Sequence, residues 1–476
     1  VEAGLMNTTG ATNVFIGADA GRANTTANHN TFVGTAAGAA TATAGQNTFV
    51  GYHAGLQNTS IQNTFMGFNA GQANTGGAFN TFIGNLSGVS NNIGNQNTFI
   101  GDSSGMANTN GDANVFIGQG SGDANQSGNE NVFIGTDAGG ANTGGDRNVI
   151  IGANAGLLSL ASDNIFIGHN AGKTNSIAND NIFIGSGTGL NNDFGQFNVF
   201  MGSDAGAANV SGINNVYIGF MSGNTSTGNN NTYLGKSTGQ VNTTGDQNTF
   251  LGSQAGQSNT IAANNTFVGA TAGLDNTEGT ANTFIGQGSG ANNSNGSDNT
   301  FVGMTSGFVN SSGSMNTFLG KGAGDSNTTA SSNTFVGALA GGANTTAANN
   351  TFVGANAGLL NSTGTGNTFM GKGAGDANTT AHDNTFIGTD AGGSNVTGTG
   401  NTFLGTAAGD VNTASANTFL GANAGGANTS AADNTFIGTN AGLLNVTGVS
   451  NTFIGARAGD SNTASGNTFI GKDAGG

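Results

Sequence analysis

A five-residue motif, Asn-Thr-Phe-Ile-Gly or a close variant, recurs in phase from Asn13 to Asn467 in 28 copies. Successive copies begin 17 residues apart in 22 of the 27 intervals and 16 apart in the other five. Numbered from its Asn, each repeat has Thr, Val or Ile at position 2, an aliphatic residue at 4, Gly at 5 and 9 and a small residue at 8. Position 3 is Phe in 25 of the 28 copies, and position 12 is Asn in 24 of the 27 copies that reach it. A short fixed period of this kind predicts repeats that stack on one another.

Glycine and β-branched residues indicate how one repeat is built. Gly occupies positions 5 and 9 in all 28 copies, which accounts for 56 of the 89 glycines; this density excludes helix and marks corners. Positions 1 to 4 favour a short strand. Because a 17-residue unit cannot bury its own apolar face, we predict an all-β fold, a parallel β-solenoid of about 28 coils and about 130 Å in length at a strand spacing of about 4.8 Å.

Composition is uniform along the chain, so residues 1–476 are predicted to form a single continuous repeat array that is cut mid-repeat at both ends. The net charge of −16 argues against nucleic acid as a partner. No apolar stretch approaches the roughly 20 residues of a membrane span. The chain has no cysteine, which leaves the redox compartment open.

Alternation along a strand puts positions 2 and 4 on one side and position 3 on the other. Position 2 is Thr in 20 copies and Val or Ile in eight, an exchange that favours a semi-buried place inside the coil. The Phe column then points outward and needs a cover. If the Phe column fills the coil instead, the aliphatic column at position 4 points outward and needs a cover. Either way we predict a homo-oligomer, with a monomeric coil that buries both columns as the alternative.

The predicted inter-chain packing column comprises Phe15, Phe32, Phe49, Phe65, Phe82, Phe99, Phe116, Phe133, Phe250, Phe352 and Phe436. Stacked coils also bring the Asn of position 1 into register, where side-chain amides can form hydrogen-bonded ladders. The predicted axial Asn ladder comprises Asn13, Asn30, Asn47, Asn350 and Asn434.

The residues offer little for catalysis. His29, His53, His169 and His382 fall at unrelated positions of different repeats, and no acid, base or nucleophile constellation emerges. The 24 acidic residues are spread over several positions, too thinly for a regular calcium ladder. We therefore expect no enzyme, no cofactor and no metal site.

The cadence of the repeat, as in residues 350–364, resembles the Asn-Ser/Thr-x-Ile-Gly repeats in the YadA-like heads of trimeric autotransporter adhesins and of related trimeric surface or tail fibres. The resemblance covers essentially the whole chain and rests on short, simple motifs. It implies a left-handed β-roll, three of which pack about a threefold axis at the cell surface. This sequence departs from that pattern in its longer repeat, in its Phe where a small residue is common, and in showing no neck, heptad stalk or anchoring barrel.

We thus expect a structural extracellular fibre segment, a stiff homotrimeric shaft or a head-to-tail filament whose main partner is itself. One alternative is an adhesin or phage tail fibre that binds a surface glycan or receptor. A weaker one is an ice-binding solenoid, which the Thr column at position 2 favours. The Val and Ile interruptions, the flanking Phe column and the lack of a Thr-x-Thr motif argue against ice binding.

Overall fold

The computed structural model describes residues 2–476, which contain 28 three-residue strands and no helix. They fall into two compact units, unit 1 up to Ser237 and unit 2 from Thr238. Strands β1 to β14 of unit 1 are Val14–Ile16, Thr31–Val33, Thr48–Val50, Thr64–Met66, Thr81–Ile83, Thr98–Ile100, Val115–Ile117, Val132–Ile134, Val149–Ile151, Ile165–Ile167, Ile182–Ile184, Val199–Met201, Val216–Ile218 and Thr232–Leu234. Strands β15 to β28 of unit 2 are Thr249–Leu251, Thr266–Val268, Thr283–Ile285, Thr300–Val302, Thr317–Leu319, Thr334–Val336, Thr351–Val353, Thr368–Met370, Thr385–Ile387, Thr402–Leu404, Thr418–Leu420, Thr435–Ile437, Thr452–Ile454 and Thr468–Ile470.

Within each unit, every strand pairs in parallel with the next one along the chain, and equivalent positions lie opposite each other. In unit 2, for example, Phe352 of β21 lies opposite Phe335 of β20 and Phe369 of β22. One strand per repeat, stacked in this register, is a parallel β-solenoid with coils of 17 or 16 residues. The predicted fold class is confirmed.

The predicted direction of the Phe column is wrong. Phe32, Phe49, Phe65, Phe82, Phe99, Phe116, Phe133, Phe250, Phe352 and Phe436 are all 0% exposed, and Phe15 in the first coil is half-buried. These rings fill the interior of their own coils and cannot pack against another chain. Positions 2 and 4 face outward instead, as the alternating burial of every strand shows.

Glycine explains why the rings fit inside. At position 9, Gly358 has a φ of +58°, and a Cβ there would lie 2.5 Å from the ring of Phe352. At position 5, Gly354 has a φ of +142°, and a Cβ would lie 2.3 Å from the carbonyl oxygen of Gly371 in the next coil. The Gly columns therefore make room for the ring and for the backbone of the following coil. The small residue of position 8, such as Ala357, lies on the same buried side.

The rings form a continuous stack in unit 2. Neighbouring ring centroids lie 4.7–5.0 Å apart and their planes differ by 4–12°. Offset stacking of this kind contributes about 0.5–1.5 kcal/mol per pair beyond the buried area. The spacing is that of the parallel strands themselves, so the backbone ladder and the ring stack reinforce each other.

Two columns of buried Asn close each coil and join it to the next. At position 1, the Asn30 side chain accepts a hydrogen bond from the backbone N–H of Asn47 at 2.9 Å and donates one to the Ala44 carbonyl at 3.1 Å. The backbone N–H groups of Asn30, Asn350 and Asn434 likewise donate to the Asn side chain of the preceding coil, which for Asn30 is Asn13. The ladder at position 1 thus runs from side chain to backbone.

At position 12 the amides bond directly to one another. Asn293 donates to Asn276 Oδ1 at 2.6 Å, and Asn310 donates to Asn293 Oδ1 at 2.7 Å. Asn293 also donates to the carbonyl of Gly296 in its own coil at 2.8 Å. Because an unpaired buried amide costs about 1–3 kcal/mol, this column strongly disfavours any shift of one coil against the next.

Two further corners escaped the sequence analysis. Residues at positions 7 and 17, such as Asn356 and Asn349, adopt left-handed φ values of 57° and 61° without being Gly. Position 7 holds residues as different as Asp19 and His53, so composition gives little sign of the conformation. Frequent Asn and Asp at both positions is the one signal, since these residues tolerate that region best.

Candidate interaction surface

The outward side of the strands is the most regular surface of the molecule, and we treat it as the candidate functional site. It consists of positions 2 and 4 of each strand, which are half-buried or exposed throughout. Position 4 is always aliphatic; Leu319 and Leu251, for instance, are 47% and 43% exposed. No strand carries a charged residue at either position. We call this surface the strand face.

The strand face differs between the units at position 2. In unit 2 all fourteen strands have Thr there, from Thr249 to Thr468. In unit 1 the seven consecutive strands β7 to β13 have Val or Ile, so both outward columns are aliphatic over that stretch. The face therefore offers an aliphatic strip in unit 1 and a threonine row beside an aliphatic row in unit 2.

Hydroxyl groups in the two Thr-rich columns have different partners. At position 13, Thr328 donates to the Thr345 carbonyl at 3.0 Å and Thr345 to the Ser362 carbonyl at 3.1 Å, so this column is satisfied between coils. The hydroxyls at position 2 of unit 2 have no hydrogen-bonding partner among residues 2–476. All hydroxyls of the position 2 column in unit 2 are therefore free for a ligand.

Exposed aromatic residues form a separate cluster in unit 1. Tyr52 and Phe68, both at position 6 of neighbouring coils, are 45% and 50% exposed and stack with centroids 5.2 Å apart. The His53 ring lies 3.8 Å from that of Tyr52. A stacked pair of this kind is an apolar platform beside a polar ring nitrogen.

The four histidines remain apart, as they are in the sequence. His382 interacts with Thr365, whose backbone N–H donates to its Nδ1 at 3.0 Å, and His169 contacts Asn170. Within the part of the chain that the structure describes, no three His, Cys, Asp or Glu side chains are grouped to hold a metal ion.

Carboxylates at position 10 are partly shielded from water. Burial, with a contribution from Asp390, raises the pKa of Asp376 and of Asp410, and burial together with Asp137 raises that of Asp123. In unit 1 the opposite holds for Asp163, because a hydrogen bond from Arg147 lowers its pKa. The Arg147 Nε to Asp163 Oδ1 distance is 2.7 Å in an exposed ion pair.

Open grooves lie on the surface of unit 1. One of about 440 Å³ in unit 1 is lined by Met6, Arg22, Leu56 and several alanines. No described helix has the length and apolar character to cross a bilayer.

The Asn-Thr-Thr triplets at Asn24 and Asn344 cannot accept sugars in the folded chain, because both Asn side chains are 0% exposed.

No protein-family model matches the chain, and no curated protein matches it.

Proposed function

We propose that this chain is a structural fibre segment, a stiff shaft that associates laterally with further copies of itself through the aliphatic strip of unit 1, positions 2 and 4 of β7 to β13. The observation that carries the proposal is the regular interior of unit 2: the ring stack and the strand pairing run through all its strands at one spacing, and the amide ladder accompanies them from Asn242 to Asn395. Such a scaffold distributes its stability over many equal contacts between neighbouring coils.

The strand face supports self-association. Fully aliphatic rows along β7 to β13, seven strands at about 4.8 Å, make an apolar strip about 30 Å long. Exposed apolar strips of this length mark sites of protein contact. The correction to the Phe column thus moves the contact to positions 2 and 4 and leaves the homo-oligomer as a proposal.

Three copies and an extracellular or cell-surface location are the finer part of the proposal. They rest on the resemblance to YadA-like head repeats, whose rods pack about a threefold axis. A closed symmetric assembly would cover the same strip on every copy.

Native mass by light scattering, compared with 46.3 kDa for one chain, tests the assembly. We expect a value near three times the chain mass, and a loss of association in the double variant Ile134→Lys and Ile167→Lys on the strip. The matched control places the same charges at position 6 of the same coils, Thr136→Lys and His169→Lys; Lys321 shows that this position accepts lysine. A monomeric wild-type chain would refute self-association.

A second candidate function, adhesion, is favoured by the stacked Tyr52 and Phe68 pair. Exposed aromatic faces suit the apolar side of a sugar ring. A glycan array probed with the full chain would show binding that the Tyr52→Ala and Phe68→Ala double variant loses. Phe220→Ala is the control, since Phe220 is also an exposed aromatic residue at position 6 but has Ser203 and Lys236 at the equivalent position of adjacent coils. Equal binding by all three proteins would exclude this site.

A further inference from the structure

Unit 2 presents a row of hydroxyls that the chain itself leaves unused. Its fourteen Thr at position 2 lie one above another on the strand face, and among residues 2–476 their hydroxyls have no hydrogen-bonding partner. The neighbouring Thr and Ser column at position 13 bonds from coil to coil, as Thr328 does to Thr345. The same unit therefore has one column whose hydroxyls mostly bond from coil to coil and another whose hydroxyls have no partner among the described residues.

The Thr of the free row lie opposite one another in successive strands and are evenly spaced. Its period equals the strand spacing of about 4.8 Å, and the buried rings beneath it repeat at 4.7–5.0 Å. Successive ring planes differ by only 4–12°, less than the roughly 20–25° by which adjacent strands rotate in ordinary sheets. Side-chain ladders are known to hold sheets flat in this way.

The chemistry of the row is suited to water rather than to an ion. Each Thr offers one hydroxyl and one methyl group, the adjacent row at position 4 is aliphatic, and neither position carries a charge. Apolar groups restrict the orientation of first-layer water, and regularly placed hydroxyls anchor that layer by hydrogen bonds. Hydroxyls at one even spacing place the water molecules bound to them in a regular row, as water molecules lie on a crystal face.

We propose that the threonine row of unit 2, with the aliphatic row beside it, binds the surface of ice crystals. One rung binds weakly, but fourteen rungs held rigidly in one row engage the crystal together. Two objections from the sequence lose their force: the Phe column points inward, and the Val and Ile interruptions all lie in unit 1. The missing Thr-x-Thr motif is answered by position 4, which supplies apolar contact in place of a second hydroxyl row.

The test is the thermal hysteresis and ice-crystal shape of the full chain, measured in a nanolitre osmometer. We expect a gap between melting and freezing temperatures and faceted crystals. The variant Thr334→Tyr, Thr351→Tyr, Thr368→Tyr and Thr385→Tyr places four bulky rings across the row and is expected to lose the hysteresis. Tyr suits strands, so the fold is retained, which circular dichroism checks.

The matched control puts Tyr at position 6 of the same four coils, at Ala338, Ala355, Lys372 and Thr389, all exposed. Tyr52 shows that position 6 accepts the residue. Hysteresis kept by the control and lost by the row variant supports the proposal, and equal loss in both overturns it. A wild-type chain without hysteresis also overturns it.

Discussion

Units 1 and 2 are built from the same repeat, but they depart from it to different extents. In unit 2 every strand has Thr, Phe and an aliphatic residue, and every coil that reaches position 12 has Asn there. Unit 1 holds all the exceptions inside the coil: Ile150, Tyr217 and Tyr233 replace Phe, and Thr41, Ser159 and Ser226 replace Asn at position 12. Regular stacking is thus the rule from which unit 1 varies.

The exceptions show which interior positions depend on each other. Tyr217 is fully buried, and its hydroxyl donates to Ser226 Oγ at 2.7 Å, so the smaller Ser makes room for the added oxygen. Ile150 is matched by Ser159 in its coil, but there Ser159 Oγ and the neighbouring Asn142 Nδ2 are buried without a protein partner. The replacements at Tyr217 and Ser226 compensate each other through a hydrogen bond. Those at Ile150 and Ser159 leave buried polar groups without a partner, which makes their coil a weak point of unit 1.

Removing a ring from the regular stack has the largest expected effect. Phe352→Ala deletes a buried side chain and two stacking contacts, so the coils around β21 should lose about 3–5 kcal/mol of local stability. Hydrogen exchange of the amides in those coils measures this loss. Val353→Ala, on the strand face of the same strand, is the control and should cost much less. Equal losses would mean that the interior of unit 2 does not depend on its rings.

Cutting the amide ladder should come next. Asn293→Ala in unit 2 removes three hydrogen bonds and leaves buried partners unpaired, at about 1–3 kcal/mol for each such group. Asn142→Ala in unit 1 should cost less, because Asn142 Nδ2 already has no partner. The exposed Asn295→Ala serves as a near-neutral control for hydrogen exchange. A larger loss at Asn142 than at Asn293 would contradict the difference between the units.

Exchanging the residues of positions 3 and 12 between a 16-residue coil of unit 1 and one of unit 2 tests the comparison further. Ile150→Phe with Ser159→Asn restores both columns in a 16-residue coil of unit 1, and two new stacked pairs should add about 1–2 kcal/mol. The 16-residue coil at residues 401–416 in unit 2 already has Phe403 and Asn412, so Asn fits position 12 of a short coil. Phe403→Ile with Asn412→Ser should weaken that coil by a similar amount, read by hydrogen exchange. Loss of stability in the restored unit 1 variant would show that the short coil requires Ile150.

The period, the strand position and the coil stack were predictable because the invariant Gly columns, the invariant Asn of position 1 and the nearly invariant Phe of position 3 allow few other folds. The direction of the Phe column was not, since alternation only separates position 3 from positions 2 and 4, and both sides of the strand are apolar. An overlooked signal was the Gly six residues after each Phe, where Gly358 leaves space for the ring of Phe352. The stacked Tyr52 and Phe68 pair could be expected from position 6 alone, but its exposure could not.

Acid should affect Asp163 of unit 1 and Asp376 of unit 2 in opposite ways, with the smallest effects. Asp163 in unit 1 has a lowered pKa, so its contribution to stability is present above the ordinary Asp pKa of about 3.9 and is lost as pH falls through the lowered value. Asp376 in unit 2 has a raised pKa, so stability is lost as pH rises from the ordinary value through the raised one.

Thermal melting at neutral pH and in acid, followed by circular dichroism, should therefore show Asp163→Asn as slightly destabilising and Asp376→Asn as slightly stabilising at neutral pH. Both differences from the wild type should disappear once the carboxyls are protonated. The Arg147 pair is exposed, so its effect is the weaker of the two. If Asp376→Asn still stabilises the protein in acid, the charge of the partly shielded carboxylate is not the cause of the stabilisation. The shielding of position 10 would then have no electrostatic effect on stability.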